Sequence, residues 1–181
     1  MRKFFAVIAL AATLLSLLGG CGSSSASAET TAARTGADIT LEQVVDNFER
    51  LVATSEIADF YTVTRLSLTE LPDSKESYQA VVVKDKILGE TSYHFGVHAD
   101  PAGKVYMASI SLQGQHDMAL QLFCSYLVKS LELSEVSILE LWDTLDLDTR
   151  EPSGSMSAEG WRLSAHTLDG SIVFGAIYSP E

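Results

Sequence analysis

The chain has 181 residues, 46% of them hydrophobic, and 24 acidic against 12 basic side chains give a formal charge of −12. So acidic a surface is repelled by phosphate backbones, which argues against nucleic acid as a partner and against charge-driven contact with anionic membranes. Two cysteines, Cys21 and Cys124, are too few for a disulfide framework or a zinc-type cluster.

Arg2 and Lys3 open the chain with positive charge, and residues 4–18 are almost continuously apolar. As a helix this stretch covers about 22 Å, short of a hydrocarbon core of about 30 Å. Residues 1–20 therefore read as a signal peptide rather than a membrane span. The segment closes Leu18-Gly19-Gly20-Cys21. That sequence resembles the lipobox of bacterial lipoproteins: aliphatic, small, small, cysteine. The resemblance covers residues 1–21 alone. It implies cleavage before Cys21, lipidation of the Cys21 thiol, and a lipid anchor that holds the protein to the extracytoplasmic face of the cell membrane. Cleavage would leave a charge of −14, ten basic residues against 24 acidic ones.

Residues 21–37, CGSSSASAETTAARTGA, contain no large apolar side chain. Such a stretch cannot offset its ordering entropy by burial and is expected to act as a flexible tether. Its typical reach is about 20–25 Å. Residues 38–181 then have the size of one ordinary domain.

Within that domain, residues 40–52 (TLEQVVDNFERLV) place Leu41, Val44, Val45, Phe48, Leu51 and Val52 on one helical face. Thr40 and Gln43 form a T-x-x-Q capping box at its start. Residues 60–69 read as a strand, followed by a loop. Stronger strands are expected at 77–84, 91–99 and 104–112. Asp100-Pro101-Ala102-Gly103 carries a type I turn signature. A four-residue loop would pair Ala99 with Lys104, Val97 with Tyr106, Phe95 with Ala108 and Tyr93 with Ile110. Residues 116–132 read as a helix apolar on most sides, with Cys124 as a buried packing residue. A second helix is expected over 135–146, capped by Ser134. Residues 151–160 read as a loop. The chain ends in a hairpin, 161–168 and 171–178, turning at Asp169-Gly170 and pairing Leu168 with Ser171. The expected fold is α+β: an antiparallel sheet of about five or six strands, with an N-terminal helix and a central helix pair packed on it.

Chemistry is thinly marked. His94 and His98 share a strand face but lie about 13 Å apart, too far for one metal ion to take both. No G-x-S-x-G, H-E-x-x-H, G-x-G-x-x-G or P-loop pattern occurs. Asp143, Asp146 and Asp148 lack the spacing of a calcium loop. Neither a catalytic set, a metal site nor a cofactor is therefore expected. The informative feature is the sheet face opposite the aromatic core. It is expected to collect Val81, Val83, Val105, Met107, Val173 and Ile177 among His94, His98, Ser109, Ser164 and His166. A solvated face would show more charge, so this one reads either as helix-covered or as a binding face centred on His94, His98, Val105, Met107 and His166. The function expected is a membrane-anchored binding module for a protein or small ligand. A small extracytoplasmic hydrolase is the alternative.

Overall fold

The computed structural model describes residues 36–87, 92–113, 119–147, 149, 151–168 and 170–180. The lipobox with Cys21, residues 21–35 of the expected tether, His116, Asp148 and Asp169 lie outside the described residues. Gly36 and Ala37 do not belong to a free tether. Gly36 N–H donates to Asp100 Oδ2 (3.0 Å), and Ala37 N–H donates to the Val105 carbonyl (2.8 Å). Ala37 and Ile39 are buried, so residues 36–39 form a short strap against the β-sheet.

Helix α1 spans Leu41–Ala53. Its capping box forms as expected, with Thr40 N–H donating to Gln43 Oε1 (2.9 Å) and Gln43 N–H to Thr40 Oγ1 (3.3 Å). Val44, Val45, Phe48 and Val52 form its buried face. Strands β1 (Tyr61–Arg65), β2 (Thr69–Glu70), β3 (Ser77–Asp85), β4 (Ser92–Ala99) and β5 (Val105–Gln113) follow. Then come α2 (Ala119–Ser130), α3 (Ile138–Thr144), β6 (Gly154–Ala158), β7 (Trp161–Leu168) and β8 (Ser171–Tyr178). The fold is α+β, and its sheet is larger than the five or six strands expected. Eight antiparallel strands run in the order β1-β3-β4-β5-β8-β7-β6, with β2 also paired to β3. The addition comes from β2 and from β6, which occupies the stretch read as a loop.

One hairpin register follows from its turn and the other from its turn plus a bulge. The last one pairs Leu168 with Ser171 and Trp161 with Tyr178, as its two-residue turn requires. The β4–β5 register differs from expectation. Gly103 sits at φ +79°, so the turn is a type I turn followed by a left-handed glycine, and Asp100 N–H donates to the Lys104 carbonyl (2.8 Å). A bulge between His98 and Ala99 then shifts the pairing again. Phe95 therefore faces Ile110, Val97 faces Ala108, and Tyr93 faces Leu112.

The helices α1 and α2 share one face of the sheet. Phe48 stacks on Phe95 with ring centroids 4.0 Å apart, and Phe123 of α2 lies 4.4 Å from Tyr93. Truncating such a ring costs about 3–5 kcal/mol. Arg65 ties β1 to α1 through Asp46 (2.5 Å) and Glu49 (2.6 Å). Helix α3 is shorter than expected and is capped by Ser137 Oγ, which accepts from Glu140 N–H (3.4 Å).

Candidate functional site

The second face of the sheet is defined by strand pairing. One row across it reads Tyr78, His98, Met107, Ile177, Arg162. The next reads Ala80, Gly96, Ser109, Gly175, Ser164, and a third reads Val82, His94, Ser111, Val173, His166. Adjacent strands are about 4.8 Å apart and successive rows about 6.7 Å, so five strands give a surface about 19 Å across. The middle row is a shallow trough of small residues between two rows of larger ones. The Tyr78 ring leans over it, and a Cβ added to Gly96 would lie 3.1 Å from the ring.

Four of the five residues expected to mark a binding face share this surface: His94, His98, Met107 and His166. Val105 does not. It is fully buried in the core cluster on the helix-covered face, whereas Tyr106 faces His98 with centroids 6.0 Å apart. The bulge before Met107 exchanges the two, which alternation alone does not anticipate. Val81 and Val83 also move to the core face, opposite Phe95 and Tyr93. Their places are taken by Tyr78, Ala80, Val82 and Lys84. Reading β3 correctly needed its pairing to β4, and the loop between them has no turn signature that sets the register.

Ala80, Val82, Met107 and Val173 are buried yet lie outside the hydrophobic cluster that the described helices build, and His98, Ser111 and Ser164 are buried beside them. Among the described residues, no helix packs on this face. Its electrostatics differ from the rest of the molecule. No strand residue on it is Asp or Glu; Lys84 and Arg162 are exposed at its margins, and Glu76, just before β3, accepts from Tyr106 Oη–H (3.0 Å). Burial, with Lys84 as a second cause, lowers the pKa of His94; burial also lowers that of His166 and raises that of Tyr78. The neutral forms are favoured in each case.

Among the described residues, Ser164 Oγ and His166 Nε2 are buried without a hydrogen-bond partner, and the two side chains are not bonded to each other. His94 and His166 stand three strands apart, about 14 Å by strand spacing. Among the described residues no group of three His, Cys, Asp or Glu side chains is arranged to hold a metal ion. Burial raises the Cys124 pKa well above the ordinary thiol value, and its side chain packs inside α2.

The chain matches no protein-family model, no curated protein and no solved structure.

Proposed function

We propose that the protein is a lipid-anchored, extracytoplasmic binding module that docks a partner protein on the second face of its sheet. The lipobox-like residues 18–21 support the anchor at Cys21 and the location. The reading of the domain is carried by one observation: a sheet face outside the helix-built core has three central rows without a carboxylate, in a chain with 24 of them, and Glu76 reaches only its margin. Tyr78, His166 and Ile177 keep partial exposure on this face, and a sheet face poor in charge that no described helix covers is suited to an added layer. Lys84 and Arg162 at its margins select a partner whose apolar surface is rimmed by carboxylates, since opposite charge at a rim steers encounter and sets register.

A photo-crosslinking side chain at Ile177, half-buried on this face, tests the reading in cells. A control crosslinker replaces Leu139, which is exposed on α3. The expected result is an adduct from position 177, none from 139, and loss of the adduct in the Lys84→Glu, Arg162→Glu variant. Equal adducts from both positions would remove the docking face. An adduct unaffected by the charge reversals would remove the acidic rim, and one of twice the chain mass would mean self-association. Absence of any protein adduct would overturn the protein partner in favour of a small ligand.

A further inference from the structure

The two ends of the docking face are complementary in charge. Its central rows run across β3, β4, β5, β8 and β7, with β5 in the middle. Glu76 lies two residues before Tyr78 on the β3 side, and Lys84 lies two residues beyond Val82. Glu76 reaches this side of the sheet, since it accepts from Tyr106 Oη–H (3.0 Å) and the Tyr106 ring contacts His98. The carboxylate and the ammonium thus stand at opposite ends of one strand, about 26 Å apart by strand rise. They cannot meet within one chain.

The rows differ in size in the same sense. On β3, β5 and β8 the row beside Glu76 holds Tyr78, Met107 and Ile177, and the row beside Lys84 holds Val82, Ser111 and Val173. The row of small residues runs between them. A two-fold axis along that small row, midway between two facing sheets, reverses strand direction and lays each strand over its own copy. Tyr78 then faces Val82, Met107 faces Ser111 and Ile177 faces Val173, a larger side chain against a smaller one each time. The same rotation brings Lys84 of each copy to Glu76 of the other. An axis along β5 would instead set Met107 on Met107 and Tyr78 on Arg162, large row against large row.

Three further observations fit a second copy as the occupant. Among the described residues His166 Nε2 has no hydrogen-bond partner, and burial favours the neutral ring, whose Nδ1–H tautomer leaves Nε2 an acceptor. The rotation places Arg162 of the second copy over it as a donor. The chain carries a charge of −12, so two copies approach with least repulsion through rows that hold no carboxylate. The patch from Glu76 to Lys84 measures about 19 by 27 Å, so a pair encloses about 1,000 Å², the lower end for a specific interface.

We propose that the docking face takes a second copy of this chain, packed sheet to sheet about a two-fold axis along the small middle row. This rests on the docking-face reading and names its partner. Glu76 of the second copy is the rim carboxylate that meets Lys84.

The test expresses two differently tagged full-length copies in cells, with the photo-crosslinker at Ile177 of one. Ile177 faces Val173 of the second copy, so an adduct carrying both tags is expected. Lys84→Glu or Glu76→Lys, made in both copies, sets like charges together at each end of the interface and should cut that adduct by about tenfold or more. Both substitutions on every chain reverse the two pairs and should return the adduct to within about threefold of the original. The two sites are about 26 Å apart on one strand, so this rescue requires contact between copies. An adduct with a different protein would overturn the second copy and leave the docking face standing, whereas no protein adduct would overturn both. A doubly tagged adduct without rescue, or one rescued by Arg162→Glu with Glu76→Arg instead, would overturn the proposed axis.

Discussion

Asp100 is 6% exposed, and a carboxylate so buried has to be held by donors. Its Oδ1 accepts from Ala102 N–H and Lys104 N–H, both at 2.9 Å, and its Oδ2 accepts from Gly36 N–H at 3.0 Å. One side chain thus closes the β4–β5 turn and fastens the strap that leads into α1. Asp100→Ala would leave three backbone donors without an acceptor. Partial solvation of the exposed turn limits the cost to about 2–4 kcal/mol. Asp100→Asn keeps one oxygen for the turn and loses the acceptor for Gly36, so it should cost less. Urea unfolding measures both. A loss under about 0.5 kcal/mol for the alanine variant would show that the turn holds without its side chain. The turn was readable from Asp-Pro-Ala-Gly; the tie to Gly36 was not, because it joins residues 64 apart.

Among the elements, those with local signals were legible and those defined by pairing were not. The α1 face and capping box follow from residues within one helix, and the 161–178 hairpin follows from alternation around Asp-Gly. Strand β6 was missed because Ser155, Met156, Ser157 and Ala158 carry little β-propensity. Its Glu159-Gly160 turn, with both φ values positive, lacks the usual Asn or Asp. For the proposed docking face, the sequence identified a face poor in charge and its three described histidines, His94, His98 and His166. The bulge that exchanges Val105 and Tyr106, and the β3–β4 pairing that sends Val81 and Val83 to the core, hid the remainder. Gly154 opens β6 at φ +132°, and a Cβ there would stand 2.4 Å from the Thr144 carbonyl oxygen and 3.3 Å from Leu145 Cα. Both neighbours are backbone, so they cannot rotate away. Gly154→Ala should therefore lift β6 from the end of α3 at a cost of about 2–4 kcal/mol. Gly170→Ala is the control, because Gly170 has φ +75° but nothing within 4 Å of its Cβ position. It should lose only about 1–2 kcal/mol from conformation. Thermal unfolding compares them, and equal losses would remove the steric argument.

At the scale of the whole molecule, one cluster joins α1, α2 and the helix-covered sheet face, and Cys124 lies inside it with no exposure. A single thiol in the described fold forms no internal disulfide. It is also hard to attack, since burial disfavours the thiolate and denies a reagent access. Cys21→Ala leaves Cys124 as the one cysteine in the chain. Two outcomes follow from that substitution. Under the proposed anchor, metabolic labelling with a fatty acid should disappear from the variant. Retained label would contradict lipidation at Cys21. The purified variant should then react with a maleimide only through global opening, because exposing Cys124 means separating α2 from the sheet. Its labelling should rise with urea along the same transition as circular dichroism, and its melting temperature should not change with reductant. Rapid labelling without denaturant would mean that α2 opens on its own and that the core is not one cooperative unit.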